Sequence, residues 1–261
     1  MQQIDSYLGL PGRPDDDLKD LEEARIEGSC EWFAERENFQ KWADSESVTL
    51  PKIYWISAKP AIGKSVLSGY IINTLAGLNL DCSYYFFRHG DKEKSTVSGL
   101  LRSVIFQMAL ISVNVRHKLL SMIERGIRCD KDDAKAVWRK LVVPVITQVD
   151  SLQTQHWILD ALDECSDAGV LFPMIAAIEP TTTIKILITS RKMPEIIQHF
   201  ADLQRKSSGQ AAICEGITFE DTKADIALYL EGNRIKLHVG SDAEKDGFLN
   251  RVLEKSEGCF L

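Results

Sequence analysis

Ile53-Tyr54-Trp55-Ile56-Ser57-Ala58-Lys59-Pro60-Ala61-Ile62-Gly63-Lys64-Ser65 is the stretch whose reading decides the fold. Its first four residues are bulky and apolar, the composition of a buried strand. A turn containing Pro60 and Gly63 follows. Leu67, Tyr70, Ile71, Thr74 and Leu75 then recur at helical spacing. Strand, turn and helix in this order are the setting of the phosphate-binding pattern G-x-x-x-x-G-K-[ST]. The chain matches that pattern at its last three positions, with Ala58 where the first glycine usually stands. A match this loose arises by chance in roughly 2% of chains of this length, and the flanking strand and helix lower that figure.

Backbone N–H groups at the start of the helix would point at phosphate oxygens, and the helix dipole favours an anion there. Ala58, Lys59, Pro60, Ala61, Ile62, Gly63, Lys64, Ser65 and Val66 are therefore the candidate nucleotide cradle. Lys64 would reach the β- and γ-phosphates as a point charge, and Ser65 would offer its hydroxyl to Mg²⁺. A left-handed backbone at Ala58 or Ala61 costs about 1–2 kcal/mol relative to glycine. Micromolar binding is worth about 8 kcal/mol, so such strain weakens a site without erasing it.

A second cluster reads His156-Trp157-Ile158-Leu159-Asp160-Ala161-Leu162-Asp163-Glu164-Cys165. A short apolar strand delivers Asp160 at its C-terminal end, where open α/β sheets bind ligands. Asp160 would hold Mg²⁺ directly or through water, because hard cations prefer oxygen. Asp163 or Glu164 would orient the water that attacks the γ-phosphate. A third strand, Ile184 to Ser190, ends on Arg191, which is positioned to sense or stabilise γ-phosphate charge. Each feature alone has an ordinary structural explanation: a solvated turn, a helix cap, a surface arginine. Their occurrence together at three strand ends favours nucleotide chemistry.

On these residues the chain resembles the NACHT group of STAND P-loop NTPases, particularly the fungal NOD-like and nephrocystin-like proteins. The resemblance spans roughly residues 28–261. It is carried by Cys30-Glu31-Trp32, Phe39-Gln40-Lys41-Trp42, the loop 55–65, Tyr85-Phe86-Phe87 and the run 95–103. It continues through Leu159-Asp160-Ala161-Leu162-Asp163-Glu164-Cys165 and Thr189-Ser190-Arg191. Such proteins usually read Gly-Lys-Pro-Gly where this chain reads Ala58-Lys59-Pro60-Ala61. The resemblance implies a slow, Mg²⁺-dependent ATP or GTP switch in signalling, able to form homo-oligomers through the NTPase domain. It also implies that the Gly28-Ser29-Cys30 turn borders an adenine pocket, and that a winged-helix domain and ligand-sensing repeats follow the helical part.

Composition sets the outer limits. The chain has 261 residues, 44% hydrophobic and 26% charged, enough for a sizeable core. No apolar run approaches membrane-spanning length and no secretory signal opens the chain. Six dispersed cysteines suit reduced cytoplasmic thiols better than a disulfide framework or a zinc site. The formal charge of −7 disfavours nonspecific contact with nucleic acid or an anionic membrane.

Along the chain, residues 1–17 read as a flexible lead-in, and 18–50 as a helical segment that packs on the core through Trp32, Phe33, Phe39 and Trp42. The α/β core spans 51–216. It is expected to be a P-loop NTPase with a mostly parallel five-stranded sheet covered by helices on both faces. Within it a strand Ser83–Phe87 precedes a helix striped by Val97, Leu100, Leu101, Val104, Ile105 and Met108. A second striped helix near Trp138–Val149 must kink or break at Pro144. The runs Asp15–Asp17 and Lys131–Asp133 read as solvated. Residues 217–261 read as the start of a helical subdomain, with helix starts of the capping-box kind at Thr218 and Ser241. The apolar ending Gly258-Cys259-Phe260-Leu261 suggests that this subdomain continues. Two other readings remain open: a nucleotide-independent scaffold with a decayed loop, and a small-molecule kinase. The kinase would need an acceptor pocket and an arginine-rich lid, and neither is legible.

Overall fold

The strand–turn–helix reading of residues 53–75 holds in the computed structural model of the chain. The structure describes residues 1–44, 52–149, 153–178, 182–206, 212–234 and 241–260. The chain opens with α1 (Gln2–Leu8), α2 (Pro14–Ala24), a 3-10 turn at Glu31–Phe33 and α3 (Glu37–Ala43). Strand β1 (Ile53–Ser57) leads into α4 (Lys64–Gly77), and β2 (Cys82–Phe86) into α5 (Val97–Ile111) and α6 (Val113–Glu124). After α7 (Ala134–Val137) and α8 (Val143–Gln148) come β3 (Gln155–Asp160), α9 (Ala168–Ala176) and β4 (Ile184–Ser190). The remainder is α10 (Pro194–Lys206), β5 (Ala212–Gly216), α11 (Phe219–Gly232) and α12 (Asp242–Ser256).

The five strands form one sheet in the order β2-β3-β4-β1-β5, and every neighbouring pair runs parallel. The expected doubly covered parallel sheet is therefore present. Alternate residues of one strand face opposite layers. Trp55, Trp157, Leu159, Ile186 and Ile188 pack with α1, α5, α6, α9 and α10 on one side. Tyr54, Ile56, Ile158 and Leu187 pack with Phe33, α3 and α4 on the other. All strands point the same way, so the C-terminal ends of β1, β3 and β4 gather on one edge.

Two expectations need correction. Residues 1–17 are not a patternless lead-in. Ile4, Tyr7 and Leu8 make an apolar stripe on α1, with Ile4 and Leu8 wholly buried. Tyr7 donates to Ile127 O at 2.8 Å, and Arg102 donates to Leu8 O at 3.1 Å. The acids Asp15–Asp17 are the first turn of α2, behind Pro14, where a helix favours negative charge and accepts proline. Asp17 is buried and paired with Lys94 (2.7 Å) and Arg88. The regular α-helix is interrupted ahead of Pro144, as expected. A π-helical turn at Trp138–Val142 precedes it, which gives the ring room, and Pro144 falls in the first turn of α8, where its missing N–H goes unneeded. The expected capping box at Thr218 is present, with Thr218 N donating to Asp221 at 2.7 Å. Residues 45–51 and Leu261 lie outside the described residues.

At the far end of the sheet from the candidate site, His156 is fully buried beside Trp42, their rings 5.2 Å apart edge to face. Burial holds its pKa down to about 4, and the Lys185 ammonium adds to the effect. The folded imidazole stays neutral while the unfolded one titrates near 6.5. Below that value the unfolded state binds the extra proton, so stability is lost as pH falls from about 6.5 toward about 4. The expected loss is about 2 kcal/mol at pH ~5 and about 3 kcal/mol at the end of that window. Urea unfolding of the parent and of His156→Gln at pH ~7.5 and ~5 measures it. The idea fails if the substitution does not flatten the difference.

Candidate functional site

Gly63 caps α4 in the left-handed region (φ 85°, ψ 21°), turning the chain from β1 into the helix. The two alanines behave differently. Ala58 extends the sheet, its N–H donating to Ser190 O at 3.1 Å, and it has no left-handed strain. Ala61 is left-handed at φ 56°, so only this substitution carries the penalty of about 1–2 kcal/mol. Ala161, directly after Asp160, and Cys30 are left-handed too. Strain of this kind persists where the surroundings over-determine it, and it concentrates at working sites.

Asp160 organises the centre. It ends β3 with 2% of its surface exposed. Ser65 Oγ donates to Oδ2 at 2.6 Å, while Ser68 Oγ (2.8 Å) and Thr189 Oγ1 (2.6 Å) donate to Oδ1. Burial pushes the Asp160 pKa up, and the Ser65, Thr189 and Ser68 hydroxyls oppose that shift. Thr189 in turn accepts from Ala161 N at 3.0 Å, which fixes the strained residue that follows the carboxylate. Lys64 donates to Lys59 O at 2.9 Å, within its own loop. Its pKa is lowered by partial burial, against the pull of Asp163 and Asp160.

Asp163 and Glu164 differ in their partners. Asp163 accepts from Arg191 N (2.9 Å) and from Arg191 Nε (3.0 Å), locking the turn after β3 to the end of β4. Among the described residues Glu164 accepts only from His89 N, at 2.9 Å, just beyond β2. The sheet thus brings the sequence-derived candidates together, and it divides the two acids between a structural latch and an available carboxylate.

Beside the loop is a cavity of about 180 Å³. Gly63, Val66, Ser29, Cys30, Trp32 and Asp225 are in its wall, together with Tyr229 and Phe260. Arg36 closes it from behind: its guanidinium lies 4.7 Å over the Trp32 ring and pairs with Glu215 of β5 and Asp221 of α11. The Gly28–Cys30 turn therefore does meet the phosphate loop. Phe260 N donates to Ala61 O at 2.7 Å, so the segment after α12 crosses the loop as well.

The sequence reading missed Ser68, the role of Trp32, and Asp225. Ser68 had a usable signal, because it stands one turn after Ser65 on the same helix face. Asp225 had none, since it reaches the site from a helix 160 residues away in the chain.

Relatives agree with the window of this site. A profile of the family described as Nephrocystin 3, N-terminal matches residues 28–191, more than half the chain. The chain belongs to that family. The matched window starts at Gly28 and ends at Arg191, so it contains the loop, Asp160 and both acids, and it leaves α11 and α12 outside. No curated protein matches the chain significantly. Among solved structures, a DNA replication initiation factor aligns with a TM-score of 0.44 at 13% identity, over 89% of this chain and 58% of that one. AMPPCP-bound DnaA from Aquifex aeolicus aligns at 0.43 and 12% identity, over 90% and 60%. Drosophila ORC bound to poly(dA/dT) DNA and Cdc6 aligns at 0.41 and 11%, over 99% and 42%. The chain thus spans about 58–60% of the length of the first two.

The Nephrocystin 3 N-terminal window brings together two oxygens of the kind hard cations prefer, Ser65 Oγ and Asp160 Oδ2. Among the described residues no cluster of three or more His, Cys, Asp or Glu side chains could hold a metal. That donor set fits Mg²⁺, which takes one or two protein oxygens and completes its shell with phosphates and water.

Proposed function

We propose that this chain is a nucleotide-controlled switch of the NACHT type: it binds ATP or GTP with Mg²⁺ on the loop 58–66 and hydrolyses it slowly. The observation that carries the reading is the buried Asp160 carboxylate, held by three hydroxyls at the start of the helix that also presents Lys64. A carboxylate so desolvated is costly unless it serves a charge. Ser65 and Asp160 would hold Mg²⁺, which when bound neutralises charge on the triphosphate.

The chain's own residues have distinct tasks in this scheme. The N–H groups at the start of α4 and the Lys64 ammonium bind the phosphates. Lys64 exchanges its contact with Lys59 O for phosphate oxygen. Glu164 orients the attacking water and accepts its proton. Arg191, beside the same edge, answers the charge of the γ-phosphate and would have to trade its hold on Asp163 to do so. Because α11 and the segment at Phe260 border the loop, nucleotide state can be passed to the helical subdomain. Wider features of the proposal are a cytoplasmic setting in a fungal NOD-like protein, assembly through the NTPase domain, and no role for nucleic acid or membrane. Net charge supports the last point.

Titration calorimetry with Mg²⁺ and ATP or GTP tests the core of this. Replacing Lys64 with alanine removes a charge-assisted contact worth about 1.5–3 kcal/mol, so binding should weaken about 10- to 150-fold. Absence of binding by the folded parent protein would leave the scaffold reading in its place. The single strained alanine, at about 1–2 kcal/mol, is too small a penalty to favour that outcome beforehand.

A further inference from the structure

The cavity beside Gly63 carries a polar feature that phosphate chemistry leaves unused. Ser29 Oγ donates to Ile26 O at 2.7 Å, and Thr222 Oγ1 donates to Phe219 O at 3.3 Å. Both hydroxyl protons are directed at carbonyls of their own turns, which leaves lone pairs as what these groups offer the cavity. Asp225 is only 5% exposed and is also in the cavity wall. Its two donors, Cys30 N at 3.0 Å and Trp32 Nε1 at 2.9 Å, both fall on Oδ2. Oδ1 accepts no hydrogen bond among the described residues. The oxygens of these three side chains therefore offer acceptors, one of them a carboxylate oxygen of a largely buried residue that takes no hydrogen bond among the described residues.

Such a group is completed by a ligand edge made of donors, and it is penalised by an edge that sets a lone pair against it. Guanine presents N1–H and the N2 amine side by side. Adenine presents its N6 amine next to N1, an acceptor. The remaining walls suit either base: Trp32, Tyr229 and Phe260 are aromatic, the last two 5.9 Å apart edge to face. The size suits one bicyclic ring, since about 180 Å³ lies below the ~300–1,000 Å³ of sites that enclose whole drug-sized ligands. Gly63 in the wall sets such a ring next to the phosphate loop. Resting on the nucleotide-binding reading above, we infer that Asp225 reads the base and makes this chain selective for guanine nucleotides.

The test ranks GTP, ITP and ATP, each with Mg²⁺, by calorimetry on the full chain and on D225N. In the parent, GTP should bind at least about tenfold tighter than ATP. ITP keeps N1–H but lacks the N2 amine, and it should fall between them. In D225N the amide oxygen can keep the Cys30 and Trp32 donors while NH₂ replaces Oδ1. Xanthosine triphosphate, with oxygen on C2, should then displace GTP as the tightest ligand. ATP binding as tightly as GTP to the parent, or an unchanged ranking in D225N, overturns the inference. If Lys64→Ala still weakens binding at least about tenfold in that case, the phosphate-loop reading survives without it. No binding of any triphosphate by the folded parent overturns both. Should D225N fail to fold, the parent's own ranking decides.

Discussion

A Glu164→Gln chain is expected to bind Mg²⁺-nucleotide within about twofold of the parent and to hydrolyse it about 10²–10⁴-fold more slowly. The reason lies in how the two neighbouring acids are tied. Asp163 is held by both the backbone and the side chain of Arg191, at 2.9 and 3.0 Å. Moving it would release the turn after β3 from the end of β4. Glu164 has one backbone donor, His89 N at 2.9 Å, and a glutamine carbonyl can accept that bond equally well. What glutamine cannot do is take a proton from water. The loss corresponds to about 3–5 kcal/mol in the barrier. Single-turnover hydrolysis with equilibrium binding on the same samples separates the two effects. A variant that loses binding while keeping its turnover per bound nucleotide would reverse the assignment.

Trp42→Ala is expected to destabilise the whole fold by about 3–5 kcal/mol, the range for deleting a buried indole. Trp42 is wholly buried between Phe39, Tyr54 and His156, with ring centroids 6.1, 6.4 and 5.2 Å away. Its carbonyl also receives Lys185 Nζ at 2.9 Å, a buried ammonium from β4. Removing the ring opens a cavity against the sheet and loosens α3 over it. For a chain of this size the melting temperature should fall by about 6–20 °C. Urea unfolding with an unchanged denaturant slope measures the effect. A shift below about 1 kcal/mol would mean that α3 rests on the core without being part of it.

Local patterns in the sequence were enough for the sheet and the phosphate loop. Strand composition, helical spacing and the Gly63-Lys64-Ser65 turn are each written within a dozen residues, and so is the carboxylate that closes β3. Helix starts were legible for the same reason, although of the three acids behind Pro14 only Asp15 and Asp16 are solvated, while Asp17 is buried against Lys94 and Arg88. A short apolar stripe, Ile4–Leu8, also escaped notice because two helical turns are too little pattern to stand out.

Tertiary structure alone decided the rest. Which acid latches Arg191 and which remains available depends on how the ends of β2, β3 and β4 align. That Ala58 is relaxed follows from its hydrogen bond to Ser190 across the sheet, which no local rule supplies. Asp225 became part of the site through its own bonds to Cys30 and Trp32 and the pairing of Arg36 with Asp221 of the same helix. Contacts between residues far apart in the chain leave no periodic trace, since their partners are chosen by packing and not by spacing. The sequence by itself therefore determined a parallel sheet with a phosphate loop, and the fold determined which side chains that loop has for company.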